Sequence, residues 1–264
     1  MRSVLQMRIE IDYSKSAQDN ADDYFKLSKK LKKKAEGAAI AIRDLEAKRL
    51  QIASKEQKQV KIKKIVDRKW YEKFNWFVTS TSMLAIGGRS AIQNELINSR
   101  YFESSDLFFH ADIFGASVVI LKDGINSPRQ TREEVAQFAA CFSKAWESGM
   151  ASANVYSLKR DQVTKSKEKG SLGTGSFLLE GEREWFKGVA LELCAYAQKG
   201  EEMSVHVVPV STCVALGIKR YLLLKPGTLK KSDAAKALAK KLGFDDLDYI
   251  MQHLPAGSFS IKDV

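Results

Sequence analysis

Tyr24, Ser28, Leu31, Ala35, Ala38, Ile42, Leu45, Arg49 and Ile52 recur along the chain at alternating intervals of four and three residues. That period places them on one stripe of an α-helix and is the seam of a coiled coil. It excludes a strand over the same stretch, because strand side chains alternate with a period of two. The seam is weak: Ser28 and Arg49 interrupt it, and Ala35 and Ala38 bring little apolar area. A long helix over about 16–55 is therefore expected to pack on another surface and not to form a strong zipper of its own. Gly37 lies inside it at a cost of roughly 1 kcal/mol against alanine, so a bend or a close contact is expected there.

The same stretch carries the charge. Residues 26–73 hold 17 lysines and arginines against six carboxylates, an excess of 11 that equals the net charge of the entire chain. Everything outside this stretch is neutral on balance. Lys26, Lys29, Lys30, Lys32, Lys33 and Lys34 fall within fewer than three helical turns, so their ammonium groups reach more than one face. Localised positive charge is the footprint of a polyanion partner. A solvated helix face is the alternative. Lys29, Lys30, Lys32, Lys33 and Lys34 are the candidate RNA contacts of this arm.

A chain of 264 residues accommodates one core domain and an appendage. No apolar run approaches the ~20 residues of a membrane span, and the opening MRSVLQMRIEID lacks the apolar stretch of a signal peptide. The expectation is a cytoplasmic protein with no membrane partner. Cys141, Cys194 and Cys213 are odd in number, widely spaced and without a CxxC pair. They read as buried thiols of a reducing compartment, not as a disulfide framework or a zinc site.

Residues 8–12 alternate apolar and charged side chains, which predicts a short strand. Residues 58–68 fit either a strand or a second helical arm. From Trp70 the pattern turns globular. Residues 74–79 and 83–86 predict a hairpin, with Ser80-Thr81-Ser82 between its strands. Ser90 is placed to cap a helix over 91–100. Strands are expected at 107–110 and 118–121, followed by a loop marked by Pro128. Thr131 and Glu134 have the spacing of a capping box for a helix whose apolar face is Val135, Phe138, Ala139, Phe142 and Trp146, stopped by Gly149. Further strands are expected at 155–158, 176–179, 189–193, 205–208 and 221–224, and short helices at 232–242 and 245–253. Helices and strands mix without strict βαβ alternation. The fold class is α+β: a mixed sheet with flanking helices, preceded by a long basic N-terminal helix. The domain boundaries are 1–14, 15–68 and 69–264.

Four further features could carry chemistry. Gly87-Gly88-Arg89-Ser90 forms a strand-to-helix turn, where backbone N–H groups and the Arg89 guanidinium could hold a phosphate. A turn capped by Ser90 is the plain alternative. His110 and Asp112 share one face of a strand, and a hydrogen-bonded pair that organises the domain is favoured over a metal site. Residues 159–175 hold five basic and two acidic residues with three glycines. There Lys165, Lys167 and Lys169 are candidate phosphate contacts, or members of an ordinary surface loop. Trp70, Tyr71, Phe74, Trp76 and Phe77 could stack on unpaired bases, though core packing explains their spacing better. No P-loop, GxSxG elbow, HExxH or catalytic Cys–His spacing occurs. No catalytic residue, metal or cofactor is therefore expected.

Several of these stretches share one resemblance. WYEKF-x-WF, IGGR and QNE, then HAD-x-x-GAS, together with KSAQDNADDYFKLSKKLKKKAEGA, CFSKAW, VYSLKRDQVTKSKEKGSLGTGSFLLEG, KPGTLKKSDAAK and LPAG, resemble the C-terminal part of the NFACT family. The likeness runs in order over nearly the whole chain. It gives Trp70, Gly87, Gly88, Asn94, His110 and Asp112 the standing of motif positions, with an RNA-facing or structural role for His110 and Asp112. Ser90 departs from the aspartate of similar family members; either residue can cap a helix. The resemblance implies an RNA-binding domain behind a shortened coiled-coil arm, with residues 1–14 a remnant strand of an N-terminal NFACT domain. It further implies a role in ribosome-associated quality control, with tRNA, rRNA or the large ribosomal subunit as partners. In the family, tailing of stalled chains requires an N-terminal domain and helix-hairpin-helix elements, so a separately encoded N-terminal half is an expected partner. Two other classes remain open: a nucleic-acid-processing enzyme using His110 and Asp112, and a scaffold whose basic arm binds an acidic protein.

Overall fold

The computed structural model describes residues 9–59, 69–165, 173–199 and 203–264. The chain divides into two compact units, Met1–Asp67 and Arg68–Val264.

The first unit is built on α1, the 43-residue helix Ala17–Gln59. Its start is capped by Ser16, whose hydroxyl oxygen accepts from the Asp19 amide at 3.1 Å. Residues 9–12 do not form the expected strand. Their backbone groups are taken by helix side chains: the Tyr24 hydroxyl accepts from the Glu10 amide at 3.0 Å and donates to its carbonyl at 2.6 Å. Asn20 does the same for Asp12, both bonds being 2.9 Å. An alternating pattern describes a strand only when a neighbouring strand offers such bonds, and here the helix offers them instead. Arg8, the first residue of that expected strand, lies outside the described residues. The seam residues Tyr24, Leu31, Ile42 and Leu45 are exposed, as are all six lysines between positions 26 and 34. Nothing comes within 4 Å of a Cβ added at Gly37, so the contact expected there is absent. α1 takes in Lys58 and Gln59 as helix; positions 60–68 lie outside the described residues.

The second unit opens with the hairpin β1 (Asn75–Val78) and β2 (Leu84–Gly87), joined through Ser80-Thr81-Ser82 as expected. There follow α2 (Ala91–Arg100), β3 (Leu107–Ala111), β4 (Val119–Leu121), α3 (Arg129–Cys141) and α4 (Lys144–Glu147). The chain continues through β5 (Ser152–Lys159), β6 (Val163–Thr164), β7 (Leu178–Leu179), β8 (Glu184–Ala190), β9 (Leu193–Lys199) and β10 (Met203–Pro209). It ends with α5 (Val210–Ala215), β11 (Leu222–Lys230), α6 (Lys231–Leu242), α7 (Leu247–His253) and β12 (Ser258–Asp263).

These strands form a six-stranded sheet in the order β1-β2-β4-β3-β5-β8, a four-stranded sheet β10-β9-β11-β12, and the small pair β6-β7. The α+β architecture is the expected one. Every pairing among the described residues is antiparallel, so the anticipated mixed sheet resolves into antiparallel sheets. Alternation along β3 shows how the large sheet is buried on both faces. Phe108 joins Ile86, Ile97 of α2, Ile120 and Val163 on one face. Leu107, Phe109 and Ala111 join Val135 and Phe138 of α3 on the other, in a core that continues into the four-stranded sheet.

The α3 N-terminus differs from the expected capping box. The helix begins at Arg129, two residues before Thr131, behind a non-capping Pro128. The buried Glu134 carboxylate instead accepts from the Ser80 amide at 2.8 Å, from the Ser80 hydroxyl, and from the Thr212 hydroxyl at 3.0 Å. Tertiary donors displaced the local one. α3 also stops at Cys141, and α4 carries the buried Trp146 up to Gly149, which adopts φ 71°. The three cysteines are buried, as expected. Packing of α5 on β9 brings Cys213 and Cys194 together, with Cα atoms 6.7 Å apart, a neighbourhood that no local spacing announces, while Cys141 stands apart.

Candidate nucleic-acid interface

The turn after β2 is made by side-chain reach, not by glycine flexibility. Gly88 donates its amide to the Val118 carbonyl at 3.0 Å. A Cβ at Gly88 would fall onto the Asn94 side chain and 2.9 Å from the Asn94 amide nitrogen. Asn94 fills that space because its Oδ1 accepts from the Val118 amide at 3.2 Å. Gly87 faces the core, where an added Cβ would lie 3.1 Å from Val119. Ser90 caps α2 as expected, accepting from the Gln93 amide at 3.3 Å.

Arg89 is exposed and its side chain reaches back to the hairpin entry. Its Nε donates to Asn75 Oδ1 at 3.2 Å and one Nη to the Phe74 carbonyl at 2.8 Å. Burial holds its pKa below the ordinary arginine value. The guanidinium thus braces the start of β1 through its Nε and one Nη.

The aromatic block divides by depth. Phe74 and Phe77 are core, whereas Trp70 lies on the surface, stacked on Tyr101 at 4.8 Å with planes 7° apart. Lys73 donates to the Tyr101 hydroxyl at 2.8 Å beside that stack. Lys165 is paired with Glu95, whose pKa it lowers, chiefly through that hydrogen bond. Lys167 and Lys169 lie outside the described residues.

His110 and Asp112 do not form the expected pair. β3 ends at Ala111; the Asp112 amide bonds the Asn154 carbonyl at 2.8 Å, and its side chain is exposed. His110 Nδ1 instead meets the Tyr156 hydroxyl at 3.2 Å. Burial lowers the His110 pKa, against the opposing pull of the Ala116 and Ala111 carbonyls and of Asp112. The period-two spacing failed because the strand ends between the two residues.

Antiparallel register sets His110 opposite Tyr156 of β5, and Tyr156 opposite Trp185 of β8. The rings follow one another at 5.8 and 5.3 Å between centroids. The Arg183 guanidinium lies 4.5 Å from the centre of the Tyr156 ring. Reading the sequence missed Tyr156, Arg183 and Trp185. Their one local signal was the period-two series Arg183, Trp185, Lys187, which marks β8. Among the described residues no group of three His, Cys, Asp or Glu could hold a metal ion, and no helix is long and apolar enough to cross a membrane.

Comparison with known proteins places this geometry in a class. Residues 73–181, which include the hairpin, α2, His110 and Tyr156, match the family described as NFACT protein RNA binding domain. Through that domain the chain belongs to the NFACT family. It is 36% identical over 217 residues to the archaeal Rqc2 homolog aRqcH of Methanocaldococcus jannaschii, covering 80% of this chain and 32% of that protein. It is 35% identical over 161 residues to the human ribosome quality control complex subunit NEMF, covering 60% of this chain and 15% of that protein. The chain thus spans about a third or less of the length of these relatives. The solved C-terminal part of a fibronectin/fibrinogen-binding protein from Streptococcus suis aligns over 67% of this chain and 78% of that one. Its identity of 18% and TM-score of 0.40 carry no argument.

Proposed function

We propose that this chain is an RNA-binding protein of ribosome-associated quality control, working in the cytoplasm. In this reading it contacts tRNA or the large ribosomal subunit through the lysines of α1 and the surface of its NFACT-type RNA-binding domain. One observation carries it. The basic excess of the whole chain is gathered in residues 26–73, largely on an exposed helix, directly ahead of a domain matched to an RNA-binding family. The names of the relatives support the ribosomal setting. Lys29, Lys30, Lys32, Lys33 and Lys34 supply long-range attraction and phosphate contact. Making and breaking of bonds is no part of the proposal, and Asp112 is not positioned to orient His110 as a general base. Nor does an acidic protein partner account for a matched RNA-binding domain.

The test is the salt dependence of binding to structured RNA. Each phosphate neutralised contributes about 0.7–0.9 to the slope of log affinity against log salt. Replacing Lys29, Lys30, Lys32 and Lys33 with glutamine is expected to weaken binding and flatten the slope by up to about 3.6. Unchanged affinity and slope in the quadruple variant would remove the arm as the main contact.

A further inference from the structure

We propose that the ring row on β3, β5 and β8 is a stacking site for an unpaired RNA base, with the Trp185 indole as its outer platform. This rests on the RNA-binding reading above and adds the part of the RNA that is recognised. The row is built by strand register: His110, Tyr156 and Trp185 are consecutive cross-strand neighbours. Behind it, Phe108 lies parallel to His110 within 11° at 6.2 Å, so the inner rings are fixed by the core. Burial falls from Tyr156, 5% exposed, to Trp185, 40% exposed, on the outermost strand of the sheet. A large aromatic ring left half open at the end of a rigid row offers a flat apolar surface with its outer face uncovered among the described residues.

The charges around it select the partner. Lys187 shares the Trp185 face of β8, and Arg183, the residue before the strand, is already held against Tyr156. The neighbouring carboxylate of Glu184 is turned to the opposite face, where Arg132 and Ser157 engage it. Asp112 and Glu182 are the exposed acidic neighbours in sequence and register, and Asp112 provides an acceptor for a base amino group. At the tip of the loop that leaves β3, Phe114 is 93% exposed, a second free ring. Aromatics on a sheet flanked by guanidinium and ammonium groups suit a base and its phosphate. Adding a strand of another protein to the β8 edge is disfavoured. The β5–β8 ladder shifts register between Ala153 and Val155, and Gly188 there adopts φ 61°. Such an irregularity breaks the edge that a new strand would need.

The test compares a fluorescently labelled short oligoadenylate with RNA duplex of the same length. Trp185→Ala is expected to lower oligoadenylate affinity about tenfold while leaving duplex affinity unchanged, with Trp185→Phe keeping most of the affinity. Thermal unfolding of the variants checks the fold. As a readout independent of Trp185→Ala, oligoadenylate should quench indole emission in the wild type and lose that quenching in Trp185→Phe. Wild-type affinity in Trp185→Ala, or full quenching in Trp185→Phe, overturns the stacking site, and the exposed ring then belongs to a protein contact. Should the wild type bind neither RNA, the RNA-binding reading itself fails.

Discussion

His253 is the last residue of α7 and has its Nδ1 2.8 Å from the Tyr249 carbonyl, so that nitrogen carries the proton. Its Nε2 is buried without a partner, against Trp76 at 5.6 Å between rings. A proton added at Nε2 would be a charge without a ligand, and burial accordingly lowers the pKa of His253. Burial also lowers the values for His110 and His206. In the unfolded chain each returns to its ordinary value near 6.5 and takes up a proton as pH falls, while the folded chain resists. The unfolded state then binds more protons, so stability must fall with pH below that value. The loss is at most about 1.4 kcal/mol per pH unit for each of His110 and His253, less for the more open His206, until the folded values are reached. Urea midpoints measured between about pH 7 and pH 5 should show the decline, and His110→Gln should make it shallower. A flat profile would show these histidines to be free to charge in the fold.

Among the elements, those written in contiguous residues were legible and those written across the fold were not. The seam predicted α1, and the Ser80-Thr81-Ser82 turn and Ser90 cap predicted β1, β2 and α2 with small errors at their ends. β8 was expected only as a stretch at 189–193, because Gly188 and the register shift break its alternation. β9, β12 and α5 were missed: only Leu193 of β9 fell in an expected strand, and β12 and α5 are short and form against partners distant in sequence, as β12 does on β11. The motif residues Gly88 and Asn94 were legible as a pattern, but the steric reason, an amide occupying the place of a Cβ, belongs to the folded turn. The α1 seam raises a question at the same scale. Tyr24, Leu31, Ile42 and Leu45 present apolar area to solvent along a helix that is about 65 Å long at 1.5 Å per residue. Leu31→Glu/Ile42→Glu is expected to leave the helicity of α1 unchanged in circular dichroism, and a loss of helicity would show that the seam is needed to hold the helix.

At the scale of the whole molecule, charge and core are kept apart: the basic excess lies in residues 26–73, and the remainder is neutral on balance. Composition made that division readable before any fold was known. Composition could not show how the folded unit is fastened, and Glu134 illustrates why. It stands on α3, yet its carboxylate holds the β1–β2 turn 54 residues away and α5 78 residues away. A capping-box spacing pointed to a local use; burial gave it a global one. The Ser80 amide, at the tip of a hairpin, is consequently donated to a buried carboxyl group and not to water. Hairpin tips ordinarily breathe on their own, exposing their amides far more often than the protein unfolds. This one can open only by taking two donors from a buried carboxyl group, at a cost of about 1–3 kcal/mol for each bond lost. In deuterium exchange, Ser80 should therefore keep pace with Phe109 in the central strand, and exchange at the rate of a free turn would show the tether to be slack. Because the turn, α3 and α5 share one buried carboxyl group, a disturbance at the molecule's rim cannot stay there, and the three segments are expected to be lost in a single event.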